Sequence, residues 1–222
     1  MSTIKSSAED LTLNADGSNE IKFQINAVEK ASINSSGLLT STTIDATALT
    51  GNLPAIDGSS LTGISAGITE ADQWRLTASA TAPSGDITTN LERVDTSGQG
   101  TLGTGMTESS GIFSFPSTGI YLIQYTFNVR NPGSGVEDRA QVSLIATTDN
   151  SSYVTLATPD TSVDGTSGGA VTVGYGSSLI DVTDTSNVKV KFSALSFSAG
   201  TSLEGSTDIN TTHFTFIKLG DT

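Results

Sequence analysis

The chain has 222 residues and a formal net charge of −13, yet charged residues make up only 15% of it; its polarity comes from 32 Ser and 34 Thr, a composition that disfavours long amphipathic helices. Zero Cys excludes disulfide scaffolds, thiolate metal sites and cysteine nucleophiles, and the acidity argues against nucleic acid, whose phosphates require cationic surface. No apolar run approaches the ~18 residues a bilayer demands and Met1 to Asp10 holds no apolar signal core, so neither membrane insertion nor classical secretion is expected.

Residues 1–45 read as a β-rich segment of short apolar alternations cut by polar turns. Asn14-Ala15-Asp16-Gly17 is a turn signal, because Asn, Asp and Gly tolerate positive φ. Ile21, Phe23 and Ile25 alternate with Lys22 and Gln24, the period of a half-buried strand; Val28, Ala31 and Ile33 follow before a break at Ser35-Ser36-Gly37. With Phe23 its one aromatic, the segment is too sparse to fill a core. It is expected to borrow apolar surface from copies of itself or from a partner.

Residues 46–69 carry the phrase Ala48-Leu49-Thr50-Gly51, which returns as Ser60-Leu61-Thr62-Gly63. Pro54 and closely spaced glycines exclude regular helix, yet Leu49, Leu53, Ile56, Leu61 and Ile64 are too apolar for a free linker. The segment reads as an extended neck whose five large apolar residues wind about a symmetry axis. Trp74, just beyond it, reads as an anchor for this junction, with an aromatic platform for sugar as the alternative.

Residues 70–222 form the head. Strands are predicted at 74–80, 87–94, 112–115, 120–129, 140–147, 153–156, 170–182, 188–195 and 213–219, separated by Gly, Ser, Asn, Asp and Pro clusters. Tyr121, Ile123, Tyr125, Phe127 and Val129 share one face of their strand, as do Val188, Val190, Phe192 and Ala194 of theirs. That many strands without helical pattern between them predict an all-β, antiparallel jelly-roll sandwich.

The stretch Gly111-Ile112-Phe113-Ser114-Phe115-Pro116-Ser117-Thr118-Gly119-Ile120-Tyr121 resembles the tumour necrosis factor and complement globular-head superfamily, in which an aromatic strand ends in Pro, a Gly turn follows and a Tyr opens the next core strand. Residues 179–192, with Asp184 before Val188 and Val190, resemble that family's acidic turn, and Thr212-His213-Phe214-Thr215-Phe216-Ile217 its last strand. The chain departs from the family at the Phe216-Ile217 pair, where a Gly is usual. The resemblance implies a homotrimer in which Phe113, Phe115, Tyr121, Tyr125, Phe127, Phe192, Phe214 and Phe216 serve core and trimer packing.

A second resemblance rests on Gly51-Asn52-Leu53-Pro54-Ala55-Ile56-Asp57-Gly58-Ser59-Ser60-Leu61-Thr62-Gly63, which is similar to a repeat of bacteriophage tail-fibre proteins; residues 6–33 are similar to the N-terminal parts of structural proteins of marine phages. It implies a virion protein. The N-terminal segment would dock on other virion proteins and three heads would contact a host-surface receptor or glycan; the alternative is a capsid decoration protein, a head fibre or cement, stabilising the shell. Threefold symmetry agrees with the sparse N-terminal segment, since it supplies three times the apolar surface from one sequence.

Other strings carry less. Gly165-Thr166-Ser167-Gly168-Gly169, with Asp181 or Asp184 and then His213, has the residue order of a hydrolase, but a nucleophile elbow needs a strand-to-helix turn and no helix follows, so an enzyme is not expected. Gly98-Gln99-Gly100-Thr101-Leu102-Gly103 matches the dinucleotide fingerprint without its strand and helix and reads as a loop. Asp160, Asp164, Asp181, Asp184, Glu204 and Asp208 suit a hard cation such as calcium, but none has the spacing of a known calcium loop, and no cofactor is expected. Recognition is expected in small-residue loops at 96–110, 131–138 and 160–169.

Overall fold

The computed structural model describes residues 20–36, 39–41, 67–133, 135–165 and 169–222. The chain divides into two compact units, Met1–Thr62 and Gly63–Thr222. The neck residues Leu49, Leu53, Ile56, Leu61 and Ile64 lie outside the described residues, as does Ser167.

In the first unit, β1 (Ile21–Ile25) and β2 (Val28–Ile33) form an antiparallel hairpin, and β3 (Leu39–Ser41) pairs with β2. Asn26 and Ala27 connect the first two strands with φ of 51° and 60°, the two positive values that a turn matched to strand twist requires. Alternation along β1 predicts a half-buried face. Instead Phe23, Ile25 and Val28 stand exposed, and Ser32 is the one buried residue among those described in this unit.

The second unit follows as β4 (Ala71–Leu76), β5 (Ala80–Thr81), β6 (Gly85–Asp86), β7 (Leu91–Arg93), β8 (Thr107–Ser109), β9 (Ile112–Ser114), β10 (Gly119–Asn131), β11 (Val136–Thr147), β12 (Tyr153–Ala157), β13 (Asp160–Asp164), β14 (Ala170–Val182), β15 (Lys189–Leu195), β16 (Ser202–Leu203) and β17 (His213–Gly220). They make two seven-stranded antiparallel sheets. In one, β14 runs the full length of one edge of β10 while β17 and β16 share the other; β4 and β7 extend the sheet beyond β17, and β5 pairs with β16. In the other, β11 and β15 are central, flanked by β12 and β13 on one side and by β6, β9 and β8 on the other. The chain crosses repeatedly between the sheets, as from β9 to β10, β10 to β11, β13 to β14 and β14 to β15, and the sheets are held face to face by their inward side chains.

The long central strands lie where alternation puts them, and β14 spans 170–182 as predicted. Differences fall where short strands are interrupted. The run expected at 87–94 contributes β7 alone, because Asn90 takes a positive φ of 58° and turns the chain; Ile87 instead donates its N–H to the Phe192 carbonyl at 2.8 Å. The loops expected at 96–110 and 160–169 hold β8 and β13, neither of which has an apolar alternation to announce it.

Phe113 lies at the centre of the core, with Trp74, Phe192, Phe214 and Phe216 at ring-centroid distances of 5.1 to 6.3 Å. Aromatic pairs of this kind contribute about 0.5–1.5 kcal/mol each beyond area burial. Phe216, where the family's Gly is usual, fills this cluster, while Ile217 turns to the other face. Across the β10–β14 ladder, Gly174 and Gly176 sit opposite Phe127 and Tyr125. A Cβ there would come within 2.0 Å of the Phe127 ring and 2.3 Å of the Tyr125 ring, so the glycines are seats for the two rings.

Candidate interaction surface

The outward face of the β14–β10–β17–β4 layer is built by the same alternation that fills the core. Odd residues of β10 point inward, so Ile120, Leu122, Gln124, Thr126, Asn128 and Arg130 point outward. On β14 the glycines take the inward positions. Its large apolar side chains are therefore turned out: Val171, Val173, Tyr175 and Leu179 are 57%, 57%, 54% and 60% exposed.

Cross-strand register arranges the face in rows. One row is apolar: Leu179, Leu122, Ile217 and Ala71. The next is a row of hydroxyl and amide groups, Ser177, Gln124, Thr215 and Gln73. Here Gln124 Nε2 donates to Tyr175 Oη at 2.6 Å, Gln73 Nε2 to Thr215 Oγ1 at 2.8 Å, and Asn210 Nδ2 to Gln73 Oε1 at 2.5 Å. The third row runs Tyr175, Thr126, His213, Arg75 and Glu92.

Arg75 is fully buried. Its guanidinium donates to Glu92 Oε1 and Asp95 Oδ1, both at 2.7 Å, and to Thr96 Oγ1 at 2.8 Å, which compensates a charge that would otherwise be costly to shield from water. His213, half-buried beside it, is held below the ordinary imidazole pKa by burial, with a smaller opposing pull from the Asn210 backbone. Three acceptor-bearing atoms at this end of the face, Asn128 Oδ1, Asn210 Oδ1 and His213 Nδ1, are shielded from solvent without a hydrogen-bond partner. Among the outward positions of β4, β10, β14 and β17, Asp181 is the lone carboxylate in a chain of net charge −13.

The residues singled out in the sequence fall elsewhere. All eight aromatics named for core and trimer packing lie inside the chain's own core at 0–4% exposure, so a contact with another copy has to come from different side chains. Trp74 has these partners within the head: Phe113 at 5.5 Å edge-on, Arg93 over its ring at 5.2 Å, and Asp72 Oδ2, to which Nε1 donates at 2.9 Å. Asp181 and His213 pair with β10 on opposite edges, at Ile120 and Thr126, which the strand rise puts ~20 Å apart along the strand. Asp181 and His213 are therefore not brought together.

Nor do the loop carboxylates converge. Asp184 caps its own turn, accepting from Ser186 N and Asn187 Nδ2, and Asp160 meets Arg139 at 3.5 Å. Among the described residues no three of His, Asp and Glu come together as a metal site would need. The 96–110 loop, one of those where recognition is expected, is tied down at its second half: Thr104 N and Gly105 N donate to Glu70 Oε2 and Met106 N to Asp72 Oδ2.

No protein-family model matches the chain, and no curated protein matches it by sequence. Solved structures do. The tumour necrosis factor Eiger of S. frugiperda is 13% identical and superposes with a TM-score of 0.50, covering 71% of this chain and 96% of that one. The head is a TNF-like jelly roll. Murine APRIL at pH 5.0 (16% identity, TM-score 0.48, 68% and 98% of the two chains) and the globular domain of zebrafish complement 1qA (13%, 0.43, 69% and 99%) are also similar to it. At such identities the likeness is one of fold.

Proposed function

We propose that this chain is a self-associating structural protein, a homotrimer formed through the outward face of the β14–β10–β17–β4 layer, that serves as a fibre-like appendage of a bacteriophage virion contacting the host surface. The observation that carries the self-association is the outward turn of Val171, Val173, Tyr175 and Leu179 on a face almost free of carboxylates. Copies of one acidic chain repel over most of their surface, and charge-depleted apolar patches are where they meet. Covering the exposed remainder of each side chain contributes on the order of 1 kcal/mol. The exposed Phe23, Ile25 and Val28 of the first unit support the same reading, because three hairpins, or one hairpin on a virion partner, bury what one leaves open. The virion role is supported by the phrase at residues 51–63.

Light-scattering mass in solution tests the assembly. The expected mass is three times 22.7 kDa, and Val173→Lys with Leu179→Lys returns the chain to one copy while its circular dichroism is unchanged. A chain that is monomeric at tens of micromolar refutes the reading. Immunogold labelling of particles tests the role, marking tail fibres under this proposal and the capsid if the chain is instead a decoration protein.

A further inference from the structure

His213 is the chain's single histidine, and its position is particular. It sits in the Tyr175–Thr126–His213–Arg75–Glu92 row, so its direct cross-strand neighbours are a neutral threonine and a buried guanidinium. On the β4 side Arg75 stands between it and the carboxylates of Glu92 on β7 and of Asp95, both of which Arg75 already engages. On the β10 side, Arg130 is the one charged outward residue; on β14, Tyr175 is nearest in register and Asp181 stands at the far end. Glu204 and Asp208 belong to the segment leading into β17. There Glu204 accepts from Ser202 Oγ, and the Asp208 backbone carbonyl accepts from Thr96 Oγ1 at 2.9 Å. Across the ladder an imidazolium at 213 therefore meets a guanidinium whose two carboxylate partners are already engaged, so no free counter-charge stands opposite it. Nδ1 is moreover shielded from water without a partner.

We infer that His213 gates self-association by pH: three neutral copies of the imidazole are compatible with the covered face, and protonation drives the copies apart. This rests on the proposal that the β14–β10–β17–β4 face is where copies meet. In one chain His213 is half-buried, and water still screens its charge in part. A second copy laid over the face removes that water, so an imidazolium loses solvation with no free counter-charge beside it to replace what the water supplied. The sign follows from linkage. The associated state holds its histidines neutral and binds fewer protons than separate chains, so association is fully present above the free-chain pKa and is lost as pH falls through it. With three histidines per assembly, the apparent association constant should fall by at least ~10-fold between about pH 7.5 and 5, a window that reaches below the ordinary imidazole value because His213 is already held under it in the single chain, and that stays above the carboxylate range.

The test is sedimentation equilibrium of the full chain at both pH values, wild type beside His213→Gln, with circular dichroism to show that each remains folded. The expected result is association at the higher pH, a loss of ~10-fold or more at the lower for wild type, and little change for His213→Gln. If wild type associates equally at both values, or His213→Gln loses association as steeply, the gate is refuted and the self-association proposal stands. If nothing associates at either pH, the self-association proposal falls and the gate with it. Should His213→Gln not fold, the imidazole C–H protons of wild type, from the single histidine, titrate by NMR without assignment. A pKa lower at associating than at dilute concentration supports the gate; an equal or higher one overturns it.

Discussion

Replacing Gly174 with Ala probes how the head's core sets its outward face. A Cβ at 174 lies 2.0 Å from Phe127 Cζ and 2.4 and 2.6 Å from the two Cε atoms. Carbon contacts settle near ~3.5–4.0 Å, so the ring has to retreat by roughly 1.5 Å. It has little room, being fully buried with Tyr125 stacked at 6.4 Å. Overpacking of this kind costs about 1–3 kcal/mol, and the entropy that alanine removes from the unfolded chain returns about 0.4–1, leaving a net loss of ~1–2 kcal/mol. Urea unfolding at one fixed chain concentration should show it as a lower midpoint at unchanged slope. Phe127→Leu, which shortens the obstructing group, should make the alanine cheaper, with a coupling of about 1 kcal/mol in the double-mutant cycle. Gly100→Ala is the control, since a Cβ there meets nothing within 4 Å; it should stay within about 0.5 kcal/mol of wild type. Additive effects of the two core substitutions, or a Gly174→Ala as harmless as Gly100→Ala, would refute the ring-seat argument.

Two further outcomes follow from buried and capping carboxylates. Asp72 is buried and accepts from Trp74 Nε1, Arg93 Nε and Met106 N at 2.7–3.0 Å; Asp72→Asn turns an amide donor toward these donors and strips Arg93 of its counter-charge. Because Arg93 is partly solvated the loss should be ~2–3 kcal/mol, seen as a lower Tm and faster hydrogen exchange at the Met106 amide, and an unchanged Tm would contradict it. Asp149 accepts from Ser152 N, Ser151 N and Thr147 Oγ1, which hold its carboxyl well below the usual aspartate range. A depressed folded pKa contributes stability above the ordinary aspartate value and loses it as pH falls through the depressed one. Asp149→Asn should therefore lower Tm near neutral pH, and its difference from wild type should shrink in strong acid; a gap independent of pH would show that the turn does not depend on the charge.

How much of this was legible depends on which residues signal locally. On β10 the alternation from Tyr121 to Val129 announces both strand and face, and the structure agrees, because five large side chains on one side of a strand have no other way to leave water. On β14 the same logic misleads about direction. Val171, Val173 and Tyr175 are the apolar side of their strand, yet they face outward, since the rings of Tyr125 and Phe127 occupy the inward space and only Gly176 and Gly174 fit beneath them. The strand β13 carries no apolar period and is held by pairing to β11, and the 98–106 loop is pinned by Glu70 and Asp72 from far along the chain; neither dependence is visible within a window of neighbouring residues.

By itself, then, the order of residues determined that this is an all-β chain with a sparse, apolar-starved front and an aromatic-cored head, because period-two burial and turn chemistry are short-range properties. The tertiary structure alone decided which strand faces remain outside. A one-residue choice of register moves every side chain from core to surface, and that choice is made by the volumes of rings on a neighbouring strand. The candidate interaction surface and the place of His213 within it are consequences of that packing.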